Sequence, residues 1–358
     1  MIIIMVCFKV MSKFSCLLSV VLLIFFSFSI VRADYSIDNS DFETLNEALN
    51  SIPNDPGVVT LRFSSNNLKG FDTGLDVPAD RNIKEFIILP GEDITGISLP
   101  ELQRICAGGV PLTIGEGLLL ENASIYGGAC VSGEETQLEK SSLTISGTVG
   151  FVFGGGFAEA GGASDVRETS VTLTKSGTAY YEIFGGGHAY GKRSRVTSEN
   201  TSVLIEGSTD YVLGGGFAEG GGRSECTQTN VTASEGSNIA IALFSGGSAA
   251  GAGSLSLVGN AKAIVSGYAN SAFSGDFAFS GGETRLEHAS RLEILPTGST
   301  EIAYMGSFAS DNGSDAYVNT AELMSCGQTG QIRQDSQSAD GGIAKTLIKA
   351  LFPCKTDN

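Results

Sequence analysis

Along residues 141 to 237 the chain alternates apolar and polar positions in short bursts. They are "SSLTISGTV" at 141, "TSVTLTKSGT" at 169, "TSVLIEGST" at 201 and "TNVTASEGS" at 229, each closing on a Gly or Ser turn. Period-two alternation bounded by turn residues is strand chemistry. Between the bursts runs a glycine-rich phrase, "FVFGGGFAEAGG" at 151. It returns as "EIFGGGHAYG" at 182, "YVLGGGFAEGGG" at 211, "ALFSGGSAAGAG" at 242 and "SAFSGDFAFSGG" at 271, with weaker copies "SIYGGACVSG" at 124 and "AYMGSFASDNG" at 303. Aligned on their leading residue, Tyr126, Phe153, Phe184, Leu213, Phe244, Phe273 and Tyr304 are spaced by 27, 31, 29, 31, 29 and 31. Strands and turns recurring every 30 or so residues, without helical periodicity between 112 and 320, predict an all-β chain. It is a parallel β-helix solenoid whose coils each contribute about three short strands.

Helical spacing occurs only at the ends. Phe42, Leu45, Ala48, Leu49 and Ile52 share one face of "DFETLNEALNSI", with Asp41 available as the cap, which predicts an N-terminal capping helix within 34–57. "GGIAKTLIKALF" at 341 repeats the pattern through Ile343, Leu347, Ile348 and Leu351, predicting a C-terminal cap helix and tail over 336–358; a membrane-surface helix is the rival reading. The β-helix then spans 58–335. No proline falls between residues 112 and 295, as uninterrupted ladders require.

Residues 1–33 carry Lys9 and Lys13, an apolar run and "VRA" before Asp34, the order of a secretory signal peptide; an uncleaved anchor is the alternative. No later segment is apolar enough to span a bilayer. The net charge of −17 argues against nucleic-acid phosphates or anionic lipid as partners. Export permits disulfides among the cysteines after residue 33. Cys106 with Cys130, about one coil apart, and Cys326 with Cys354 are the pairs the spacing favours, leaving Cys226 free; five reduced, buried cysteines are the alternative. Nothing in their spacing, or around either histidine, suggests a metal or a cofactor.

If "FGGGFA" is a strand, alternation separates Phe153, Gly155 and Phe157 from Gly154, Gly156 and Ala158. Stacked coils then give an aromatic face, assigned to the core, and a bare strip of Gly154, Gly156, Ala158, Gly185, Gly187, Ala189, Gly214, Gly216 and Ala218. The strip has two readings. Its glycines supply positive-φ corners or space for a loop of the same chain, or they form a flat docking face for an extracellular surface, a polysaccharide or a second copy. His188 replaces a phenylalanine in the second aromatic column and reads as a satisfied core residue. Glu159 and Glu219 occupy equivalent places two coils apart, about 9 to 10 Å by the strand spacing, and are weak candidates for a carboxylate pair. Thr144, Thr172 and Thr232 are interrupted by Leu204, too irregular for an ice-binding array. Asn122, Asn200, Asn230 and Asn312 lie in glycosylation sequons.

The repeated "FGGGxA" and "TSVTL" phrases, over roughly residues 55 to 335, resemble the right-handed β-helices of the pectin-lyase-like superfamily, and most nearly the glycine-rich surface and adhesin-like β-helix proteins of bacteria. That resemblance implies a secreted or cell-surface structural or adhesive protein. The alternative is a carbohydrate-active enzyme or lectin on the same fold. The missing Trp and the lack of a clustered Asp set point away from catalysis.

Overall fold

The structure, a computed structural model, describes residues 34–42, 44–64, 74–352 and 354, so the leader expected over 1–33 lies outside the described residues. The chain winds as a parallel β-solenoid of about ten turns with a repeat near 29 residues. Its coils contribute to three parallel sheets of 12, 11 and 8 strands.

Each full coil begins with a long strand such as Ala163–Leu173 in the 12-stranded sheet. Its interior positions alternate until Arg167 and Glu168, two consecutive exposed residues at which the strand turns an outer corner. A turn leads to a strand of the 11-stranded sheet, such as Thr148–Phe153, and the glycine triplet then leads to a three-residue strand of the smallest sheet, such as Phe157–Glu159. The register is continuous: Val152, Ile183, Val212, Leu243, Ala272 and Ala303 stack as one fully buried column. Such aliphatic columns form one continuous core along the axis.

At the N-terminus the expected helix is present but shorter. Leu45–Asn50 is capped by Thr44, whose Oγ1 accepts from the Glu47 amide at 3.2 Å, while Asp41 closes a preceding 3-10 turn. Leu45, Ala48 and Ile52 are buried against the first coils, with Phe42 and Leu49 partly so. The solenoid itself begins earlier than residue 58, because Tyr35–Asp38 already pairs with Val58–Phe63.

The expected C-terminal helix is not formed. Ile343–Phe352 is the last strand of the 12-stranded sheet, in register with Asp315–Ser325 from Asp315↔Ile343 to Met324↔Phe352. Ile343, Leu347 and Leu351 recur every four residues, a spacing that fits a helix face and equally one face of a strand. What decides is the open edge beneath: extending the ladder satisfies backbone groups that a helix lying across the end would leave unpaired. The ladder also carries Cys354 over Cys326, and the two form a disulfide with 5.3 Å between their Cα atoms.

Candidate functional site: an outer aromatic corner

The glycine strip faces inward, which reverses the assignment made from alternation. Ala158, Ala189 and Ala218 are fully buried, and the triplets at 154, 185 and 214 are buried with them. A Cβ built on Gly154, Gly185, Gly214 or Gly187 would run first into the backbone carbonyl oxygen of an adjacent coil, at Gly185, Gly214, Ser245 or Gly156, and would also lie 3.1 Å from Val171 Cγ2, 3.0 Å from the Cβ of Thr201 or Thr229, or 3.2 Å from Val196 Cβ. The strip therefore packs against the inner side of the long sheet. Interior hydroxyls complete the contact: Thr169 donates to the Gly185 carbonyl at 2.5 Å, Thr201 to Gly214 at 2.6 Å and Thr229 to Ser245 at 2.5 Å. At Gly185 and Gly214 the threonine opposite fills the space beside the corner. None of the three triplets has positive φ; that conformation belongs to the later turn glycines, as at Gly161 (84°) and Gly191 (83°). Gly156, Gly187 and Gly216, with the rest of the strip, are thus closed to any partner.

The aromatic residues consequently point away from the core, into the corner between the 11- and 8-stranded sheets, where they form a separate cluster whose first column is itself buried. The first column runs in register from Cys106 through Tyr126, Phe153, Phe184, Leu213, Phe244 and Phe273 to Tyr304. Its rings stack nearly parallel, with centroids 4.9 Å apart for Tyr126–Phe153 and Phe153–Phe184, 4.5 Å for Phe244–Phe273 and 4.1 Å for Phe273–Tyr304. A second column, Cys130, Phe157, His188, Phe217, Ser248, Phe277 and Phe308, covers the first from the other wall of the corner and, apart from the buried Ser248, stays partly exposed. Cys106 and Cys130 head the two columns and are joined by a disulfide, Cα to Cα 5.9 Å, which closes the N-terminal end of the corner. Cys226 is free and buried in the core.

His188, like Ser248 two coils later, is a polar break in this ladder. Its ring lies 5.2 Å from Phe153 and 4.9 Å from Phe217, while Nδ1 is 3.4 Å from Tyr126 Oη and Nε2 is 3.3 Å from Glu219 Oε2. Three coils are thus linked through one imidazole. The ring beside Glu219 holds that carboxyl below its ordinary value, and burial raises the Tyr126 phenol. Glu219 is in register with Tyr190, one coil back. Glu159, in its turn, lies one coil below Tyr190, so the two carboxylates flank that tyrosine rather than meeting.

The coil that carries His188 also carries residues that sequence reasoning missed. Thr178–Phe184 is one residue longer than Thr148–Phe153 or Ser208–Leu213, and the register slips on both sides of it. The bulge puts the consecutive Tyr180 and Tyr181 both outside, each 47% exposed, and Tyr181 stacks on Phe151 at 4.8 Å. Tyr190 is 48% exposed. Glu182, between the tyrosines and the buried column, has its carboxyl pushed up to about 7 by burial. "TAYYEIF" being longer than "TVGFVF" was the signal available. Among the described residues no cluster of His, Cys, Asp and Glu could hold a metal ion, and no helix is long and apolar enough to cross a membrane.

Comparison with protein-family models, curated proteins and solved structures gives no match.

Proposed function

We propose that the chain is an exported, surface-located rod of the pectin-lyase-like, adhesin-like kind, and that it holds an extended polysaccharide along the outer aromatic corner. The observation that carries this reading is the concentration of Tyr180, Tyr181, Tyr190 and His188 on one coil, beside an aromatic stack that Leu213 interrupts once. Exposed aromatic faces take the apolar face of a sugar ring, and the neighbouring Glu159 and Glu219 accept from its hydroxyls. A solenoid repeats its surface every ~4.8 Å along the axis, which suits a polymer better than a compact ligand. The overall charge of −17 selects an uncharged or basic polysaccharide over a polyanion. The leader-like residues 1–33 support export.

The test is retention on a glycan array and on insoluble polysaccharides. Parent protein is retained, and a Tyr181→Ala, Tyr190→Ala double variant, whose side chains are already exposed, folds normally and is not. A parent retained by no glycan refutes the reading.

A further inference from the structure

We propose that Glu182, framed by Phe151, Tyr181 and Tyr211, is a recognition site for a protonated or quaternary amine, and that the polysaccharide held along the rod is one bearing free amino groups. The second half rests on the polysaccharide reading given above. The first half rests on the outer face of the 11-stranded sheet.

On the long sheet opposite charges are interleaved. Arg167 lies between Glu139 and Glu199, Lys140 holds Glu168 at 2.7 Å, and Arg195 holds Asp165 at 3.1 Å. The 11-stranded sheet is different. From Leu118–Tyr126 to Ser299–Tyr304 its described strands contain four carboxylates, Glu121, Glu182, Asp210 and Glu301, and no lysine or arginine. This face carries negative charge that its own strands do not neutralise, and so attracts a cation.

Of these four, Glu182 is the one set among rings. It is in register with Tyr211 one coil on, and Phe151, which precedes the Val152↔Ile183 pair, stands beside it one coil back. Phe151 and Tyr211 both belong to the partly buried layer over the aromatic cluster. The bulge in Thr178–Phe184 leaves Tyr181 outside as well, its ring stacked on Phe151 at 4.8 Å. Glu182 makes no hydrogen bond or ion pair among the described residues, and burial pushes its carboxyl up. Burial also raises the Tyr211 phenol, with Glu182 and then Asp210 adding to it, so both carboxyls lie within electrostatic reach of that ring. A partly buried carboxylate without a partner is costly. An ammonium group supplies the missing partner and is drawn to the ring faces at the same time. A neutral hydroxyl would leave the charge uncompensated, and an anion would be repelled.

The test has two arms on the full chain, disulfides intact. In the first, tetramethylammonium chloride replaces sodium chloride at constant ionic strength while tyrosine fluorescence is followed, a signal that no tryptophan masks. In the second, glucosamine oligomers are compared with their fully N-acetylated counterparts. The expected result is a saturable response to tetramethylammonium that is lost in Glu182→Gln, a variant of the same shape whose melting curve shows it folded, and weakened in Phe151→Leu. Free-amine oligomers bind about tenfold tighter than acetylated ones. In Glu182→Gln that preference disappears while the acetylated oligomers bind as before. A parent indifferent to tetramethylammonium, or an amine preference that survives Glu182→Gln, overturns the proposal and leaves the polysaccharide reading to its own retention test. A Glu182-dependent response to tetramethylammonium in a protein that retains no polysaccharide overturns that reading and, with it, the polymeric ligand proposed here.

Discussion

Gly214 and Thr229, on the long strand that follows it, face each other across the interior, and a Cβ on the glycine would end 3.0 Å from the Cβ of the threonine. One coil further on, Ser245 stands where Gly214 did and Ala261 where Thr229 did, so bulk moves from one wall to the other. Gly214→Ser alone is expected to destabilise the protein by about 1 to 3 kcal/mol by overpacking. Adding Thr229→Ala should recover part of that loss, the share due to the threonine, while the closer approach of the new Cβ to the Ser245 carbonyl oxygen remains. Denaturant melts of the two single variants and the double variant check this; additive losses would show that the walls do not share one space.

Replacing His188 by Phe should leave the ladder intact, since Phe157 and Phe217 already occupy its column above and below. The stability of the coil is kept. Glu219, freed of the imidazole, returns toward the ordinary carboxylate range. A carboxyl depressed in the folded state contributes stability above its unfolded pKa that is lost as pH falls through its folded one, so this acid-side dependence fades in the variant. A side-chain NMR titration of Glu219 in both proteins reads the change; an unaltered Glu219 would mean that His188 does not act on it.

Asp276 takes the place of a corner glycine and is fully buried, with Oδ1 accepting from the Gly247 amide at 2.9 Å and Oδ2 without a partner among the described residues. Burial pushes its carboxyl up to about 8 from 3.8. The folded state therefore binds a proton that the unfolded state releases, and stability falls as pH rises from about 4 through about 8, by roughly 1.4 kcal/mol per pH unit within that window. Asp276→Ser, which copies Ser307 at the same place one coil later, should flatten the slope. Denaturant melts between pH 5 and 9 give the comparison; equal slopes in parent and variant would exclude Asp276 as their source.

Much of the architecture was readable from spacing alone. The intervals between Tyr126, Phe153, Phe184 and Leu213 predict coils, and those residues stack in register. Which face is inside was not readable, because alternation separates Phe153 from Gly154 without saying which of them meets Val171 and Thr201. The answer depends on how near the long sheet runs to the glycine corner, and that is a property of three strands together. Hydrophobicity alone argued for the wrong side. The site was only partly legible for the same reason: Glu219 and His188 each stand out in the sequence, but their contact requires knowing that the corner opens outward. At Ile343, Leu347 and Leu351 the sequence was ambiguous between helix and strand, and the ladder below resolved it.

Reducing the Cys326–Cys354 disulfide should fray the last strand first. Each coil contacts mainly its neighbours, so the loss, typically about 2 to 4 kcal/mol for such a bridge, falls on the terminal unit. Hydrogen exchange should show faster exchange across 343–352 with 141–233 unchanged. Uniform acceleration along the chain would indicate a single cooperative unit instead.

Hydroxyl-radical footprinting of the protein with and without a retained polysaccharide tests most directly whether the outer aromatic corner is the binding face. Protection is expected at Tyr180, Tyr181 and Tyr190, with Tyr35, Tyr268 and Tyr317, which lie elsewhere on the rod, oxidised as before. Bound polysaccharide that leaves Tyr180, Tyr181 and Tyr190 as reactive as in the free protein would contradict the account.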